Sequence, residues 1–203
     1  MSDIRKSTSS VINALYGNGH PDRLILASLR GTSSITSPRA QAVWPVLMAH
    51  LDDRDLSKNG QPTPAEIAVF TAVRLYAIHQ QKNDDDDNAY ASRWNKEKPG
   101  MTLFGVLAQM RRDPDKQVAL DRRVAPLLAT TNITSLINSL THLVDMVKAN
   151  NRKFKIDYAE LANQLYWFQQ SYEQANRVRL QWGQDYYRTV KEPGTNEGMN
   201  NND

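Results

Sequence analysis

The sequence predicts an all-α protein, two small helical bundles joined by a mobile acidic loop. Three observations carry that expectation. Apolar residues recur at i, i+3, i+4 and i+7 in stretch after stretch. Capping residues followed by proline open several of these stretches. No segment alternates apolar and polar residues between hairpin turns, as half-buried strands do.

Residues 1–10 are polar and are expected to fray. Val11, Ile12, Ala14 and Leu15 suggest a short helix stopped by Gly17-Asn18-Gly19. Asp22 to Arg30 reads as a second, with Gly31 as its stop. Ser37-Pro38 starts a third, whose stripe is Ala40, Val43, Trp44, Leu47, Met48 and Leu51, and Pro45 is expected to bend it. Thr63-Pro64-Ala65-Glu66 is a capping box. The helix behind it turns Ile67, Phe70, Val73 and Ala77 inward and leaves Arg74 outside that set.

Gln80 to Gly100 breaks the pattern. Four consecutive aspartates, Asp84 to Asp87, repel one another and cannot bury themselves. The run lacks the alternating spacing and distal glutamate of a calcium loop, so no metal site is expected. Beyond it, Thr102 opens a helix with Leu103, Val106, Leu107 and Met110 inward and Arg111-Arg112 at its end, where cations complement the helix dipole. Asp113-Pro114 begins the next. Asn132 to Lys148 is the most regular stretch, with Ile133, Leu136, Ile137, Leu140, Leu143, Val144 and Val147 in register, and reads as the centre of the C-terminal core. A basic turn, Asn151-Arg152-Lys153-Phe154-Lys155, leads to a helix whose stripe is Tyr158, Leu161, Leu165, Phe168 and Tyr172, and to a last helix with Val178, Trp182 and Tyr186 on one face. The expected organisation is an N-terminal bundle over 1–90 with the acidic loop beginning near 81, a basic bundle over 91–192, and a disordered tail over 193–203.

Net charge is +3, but it is unevenly placed: residues 91–191 carry 16 Lys/Arg against 9 Asp/Glu, while residues 1–90 carry 9 against 10. A positive C-terminal half points to a polyanionic partner. The absence of cysteine excludes disulfides, thiolate catalysis and cysteine-bound zinc in this chain. His20, His50, His79 and His142 have no ligand spacing, and no phosphate loop, H-E-x-x-H or G-x-S-x-G motif is present. No enzymatic activity and no cofactor is expected. Met1 to Lys6 lacks the apolar segment of a signal peptide and no run reaches the length of a membrane span. The expectation is a soluble, cytoplasmic protein with no membrane partner.

The stretch Leu120 to Leu128 links fold and charge. Leu120, Val124, Leu127 and Leu128 form one stripe, Arg122 falls opposite it, and Arg123 lies on its shoulder. A helix docked through its leucines holds two guanidiniums outside the core, and a guanidinium suits phosphate oxygens. The competing reading is a solvated face with Asp121 as a local partner.

The order of motifs resembles the CasB family, the small subunit of the type I-E CRISPR surveillance complex Cascade. The resemblance rests on Leu26-Ala27-x-Leu29-Arg30-Gly31, Asp121-Arg122-Arg123-x3-Leu127-Leu128, Lys155-Ile156-Asp157-Tyr158, Leu165-Tyr166-Trp167-Phe168 and Trp182-Gly183-x-Asp185-Tyr186-Tyr187-Arg188, over roughly residues 20 to 190. It implies a non-catalytic helical protein whose partners are other Cascade subunits, a second copy of itself, and the target and displaced strands of crRNA-guided target DNA. Arg30, Arg122, Arg123, Arg177 and Arg179 match or lie near basic positions of that family. With Arg111, Arg112, Arg152, Lys153 and Lys155 they are the candidate nucleic-acid contacts. After Leu128 the chain has Ala129-Thr130-Thr131 where some members carry further basic residues. The aspartate run is expected to avoid the nucleic-acid face. Two alternatives remain: a helical scaffold that touches only protein, and a free-standing nucleic-acid binder.

Overall fold

The computed structural model describes residues 3–83, 87–150 and 153–188. Among the described residues the structure is helical, with no β-strand and only two bridge pairings, of Tyr90 and Met101 with Ile156. The expected disordered tail, Asp84 to Asp86 and Arg152 lie outside the described residues.

The organising element is α4, Pro64–Gln80. The Thr63 hydroxyl accepts from the Glu66 amide at 3.1 Å, and the Glu66 carboxylate accepts from the Thr63 amide at 2.7 Å. Loss of such a cap costs about 1 kcal/mol. Nearly every residue of α4 from Ala65 to Gln80 is buried, Arg74 and His79 among them. A helix covered all round needs neighbours on every side. They are α1 (Ile4–Tyr16), α2 (Arg23–Arg30), α7 (Ile133–Ala149) and α8 (Tyr158–Phe168). Helix α8 lies against both α1 and α4, so the order of the halves along the chain is not the order of their packing.

Several polar groups inside this packing are partnered, while the buried Tyr76 hydroxyl and Arg74 Nε have no hydrogen-bond partner among the described residues. Arg74 donates from Nη1 to the Thr141 hydroxyl at 2.9 Å. The Tyr158 hydroxyl and His79 Nδ1 lie 3.0 Å apart. Burial keeps that imidazole neutral, pulling its pKa down to about 4. His79 is therefore a core histidine, whereas His142 is exposed on α7 as its place among polar residues predicts.

The N-terminus does not fray at Ile4. Asp3 caps α1 by accepting from the Lys6 amide at 3.0 Å, and Ile4 and Thr8 are buried. Thr8 satisfies its own hydroxyl on the Ile4 carbonyl at 2.7 Å, which lets a polar residue complete the apolar stripe. Pro45 opens a helix rather than bending one. A 3-10 turn (Pro38–Ala42) gives way to the short α3 (Trp44–Met48), where Pro45 occupies the first turn and no amide is missed.

The remaining helices, α5 (Leu103–Arg111), α6 (Pro114–Ala129) and α9 (Tyr172–Tyr187), pack on one another and on α7 and α8. Trp182 anchors this side. Its ring is fully buried, stacked near Phe104 at 4.9 Å and Phe168 at 6.3 Å, and its indole N–H donates to Gln164 Oε1 at 2.6 Å. The aromatic centre thus sits on α9 between α5 and α8. Tyr172, expected to extend the stripe of α8, instead opens α9 and is exposed, because α8 has already ended at Phe168.

Residues 87–101 are pinned to the residues before α8. Ile156 donates to the Ala89 carbonyl at 3.0 Å, and Met101 donates to the Lys155 carbonyl at 2.9 Å. Gly100 is required there, since a Cβ would stand 1.8 Å from the Ala91 carbonyl oxygen. Among the described residues no helix is long and apolar enough to cross a membrane.

Candidate nucleic-acid interface

The stripe of α6 behaves as its spacing predicts. Leu120, Val124 and Leu127 are buried, and Arg122 and Arg123 are exposed. Asp121 is not their partner. Its carboxylate accepts from Arg111 Nε at 2.8 Å and Nη2 at 3.1 Å, and from the Tyr186 hydroxyl at 2.7 Å. The Arg111 guanidinium also stands 5.6 Å and 5.4 Å from the ring centres of Tyr186 and Tyr187. These donors hold the Asp121 carboxyl below the usual carboxylate range, with Arg111 contributing most. Arg111 thus ties α5 to α6 and α9.

Its neighbour Arg112 is not held by Asp121. It is exposed and forms no ion pair among the described residues. It lines two adjoining clefts. One, of about 860 Å³, is bounded by α5 and the end of α9 and includes Thr102, Asp185, Tyr187 and Arg188. The other, of about 330 Å³, is bounded by Lys116, Asn150 and Phe154. Arg122 likewise has no carboxylate partner among the described residues, and Arg123 donates from Nη1 to its own helix at the Ala119 carbonyl, 3.0 Å away.

The other candidates are engaged within the fold. Lys155 contacts the Asp87 carboxylate and the Asn88 carbonyl, and Lys153 lies 3.4 Å from Asp87. Burial pushes the Asp87 carboxyl up, but the two ammoniums outweigh it and the net shift is downward. Asp87 therefore sits among the candidate residues rather than apart from them. Arg179 closes the C-terminal end of α6: its Nη1 donates to the Leu128, Ala129 and Thr130 carbonyls at 3.4, 3.1 and 3.4 Å. Those carbonyls lack partners inside their own helix. Arg177 pairs with Glu173 at 2.6 Å on the exposed side of α9. Arg30 is half-buried and donates to the Ala77 carbonyl at 3.4 Å, on a helix whose main packing is with α4.

The structure thus brings Arg111 and Arg112 together with Arg188 at one cleft and leaves Arg30 on another part of the molecule. Arg188, Lys116 and Tyr187 were not among the candidates read from sequence. The only available signal was the aromatic-basic end of α9. Which helix it meets depends on the α5–α9 contact, which sequence spacing does not show. Among the described residues no three His, Asp or Glu side chains gather where they could hold a metal ion.

The family model described as CRISPR-associated protein Cse2 matches residues 25–187. The crystal structure of CasB from Thermobifida fusca is similar in fold, with a TM-score of 0.63 at 23% identity, covering 90% of this chain and 94% of that one. No curated protein matches the chain.

Proposed function

The chain belongs to the CRISPR-associated Cse2 family, and from that membership we propose that it is a non-catalytic small subunit of a type I-E Cascade complex. In this role it stabilises the target and displaced DNA strands of the crRNA-guided R-loop, beside a second copy of itself and the other subunits. The observation that carries the reading is a pair of exposed arginines, Arg112 at the C-terminal cap of α5 and Arg122 on α6, that have no carboxylate partner among the described residues. Strand exchange in an R-loop is nearly balanced, so a few phosphate contacts tip it. Such contacts position strands without reading sequence.

The test replaces Arg112, Arg122 and Arg123 together by Ala in the assembled complex. These side chains are exposed, so stability is expected to change by less than about 0.5 kcal/mol per site. Removing up to three phosphate contacts is expected to lower the salt slope of R-loop formation by roughly two to three. The loss is expected to be similar for every target sequence, and initial motif capture, which precedes strand separation, is expected to be unchanged. A folded triple variant with the wild-type R-loop lifetime overturns the reading. A scaffold that meets only protein is the second reading. It is favoured by the apolar strip on α9, where Leu180 and Tyr187 stand exposed beside Leu128 and Gly183. It predicts that Leu180→Asp removes the subunit from the complex while the arginine variant is silent.

A further inference from the structure

We propose that the loop from Ser92 to Pro99 is a separate contact for single-stranded nucleic acid, with Trp94 stacking on a base and Arg93, Lys96 and Lys98 holding the flanking phosphates. This rests on the reading that the subunit meets separated strands, and it adds a site outside the helical arginines. Of the four tryptophans, Trp94 alone is fully outside the core, at 76% exposure. Exposing an indole forgoes a burial worth about 1.5–3 kcal/mol for a large apolar side chain.

The loop is nevertheless built to hold it there. The Arg93 amide donates to Asp157 Oδ2 at 2.8 Å, and Gly100 donates to the Ser92 carbonyl at 2.9 Å. Asn95 donates to the same carbonyl at 3.0 Å, and its side chain accepts from the Glu97 and Lys98 amides at 2.9 and 3.1 Å. Loop ends tied to the Ile156 backbone and an apex tied by its own asparagine present Trp94 at a fixed place. The Arg93 guanidinium lies 5.3 Å from the ring centre, over one face. The remaining exposure falls on the rest of the ring. Within the loop Arg93, Lys96 and Lys98 outnumber the one carboxylate of Glu97, the Asp157 carboxylate being buried beneath it, and none of the three cations forms an ion pair among the described residues. An exposed aromatic platform in a short loop that also carries cations before and after it in sequence fits a base between phosphates, and every base offers a π-face. An apolar pocket on a protein would not need the three cations.

The experiment compares Trp94→Ala and Trp94→Phe in the assembled complex. Target strands carry 5-iododeoxyuridine for photocrosslinking, and R-loop lifetime is measured over a range of salt. Trp94→Ala is expected to shorten the lifetime about fivefold or more, while Phe retains most of it. The salt slope is expected to stay unchanged, because no charge is removed. A crosslink in the wild-type complex is expected on the peptide that contains Trp94. An intact Trp94→Ala complex with the wild-type lifetime, equal losses in Ala and Phe, or no crosslink at that peptide each overturn the proposal. So does loss of the subunit from the complex, which would make Trp94 a protein anchor. If the arginine variant shortens the lifetime and Trp94→Ala does not, this loop fails and the function above stands. If neither variant has an effect, both fail.

Discussion

The turn before α8 and the face of α5 and α6 carry the same kind of residue and use it in opposite ways. At the turn, Lys153 and Lys155 both meet Asp87, a carboxylate from the far side of the acidic run. On the helices, Arg111 meets Asp121, while Arg112 and Arg122 meet no carboxylate among the described residues. Charge counted along the chain ranks the two stretches as equals. Charge left over after folding does not, because a carboxylate within about 4 Å removes most of a cation's reach toward a phosphate. The useful quantity for a polyanion partner is the unpaired remainder.

The largest expected effect strikes the turn. Gly100→Ala forces a Cβ to 1.8 Å from the Ala91 carbonyl oxygen, so the backbone of 91–101 must leave the Ile156 segment. A loss of more than about 2 kcal/mol is expected, read as a lowered urea midpoint. Amide protons of Ile156 and Met101 are expected to exchange faster. A variant with unchanged stability and exchange would show that the turn is not held by this pairing, and the contrast with α5 and α6 would weaken.

A smaller effect is expected on the helices. Asp121→Ala removes the acceptor of Arg111 and of the Tyr186 hydroxyl. About 1–2 kcal/mol is expected, after discounting for partial exposure. The same change frees Arg111, so binding of the complex to nucleic acid is expected to hold or rise even as the melting temperature falls. If binding falls together with stability, Arg111 acts in place, and the division between engaged and free arginines is drawn wrongly.

Much of this fold is legible locally. The stripes of α6 and α7 and the caps at Asp3, Thr63, Asp113 and Asn132 depend on residues within a turn or two of one another. Of these, Asp3 is obscured by the polar look of residues 1–10. What escapes sequence reading depends on distant partners. Arg74 falls outside the apolar stripe of α4 and His79 has no marked place on it until Thr141 and Tyr158 arrive to bond them inside the core. Arg111 and Arg112 are adjacent and chemically identical. Their different roles come from Asp121 and the tyrosines of α9, and only the packing of three helices decides which arginine faces them. The same holds for Arg179, whose role at the end of α6 spans about fifty residues of chain.

The last and smallest expected effect tests the comparison at its origin, in Asp87. The carboxyl is held below its ordinary range, so its contribution to stability is present above the unfolded carboxylate pKa and lost as pH falls through the folded value. Asp87→Asn keeps the shape and removes the charge. At neutral pH a loss of about 1 kcal/mol or less is expected. The difference between wild type and variant is expected to shrink as pH falls below the unfolded carboxylate value and to vanish below the folded one, where the wild-type carboxyl is itself protonated. A difference that persists there would mean that shape, not charge, does the holding. Lys155 loses its carboxylate in this variant. If the turn faces a DNA strand in the complex, the salt slope of R-loop formation is expected to steepen by about one, the contribution of one added phosphate contact. If the turn faces away, the slope is expected to stay at its wild-type value although stability has dropped. A steeper slope would make Asp87 a brake on a contact that the turn is otherwise equipped to make. An unchanged slope would assign its lysines to holding residues 87–101 in place, and would leave the α5–α6 arginines and the Trp94 loop as the surfaces proposed to meet the strands.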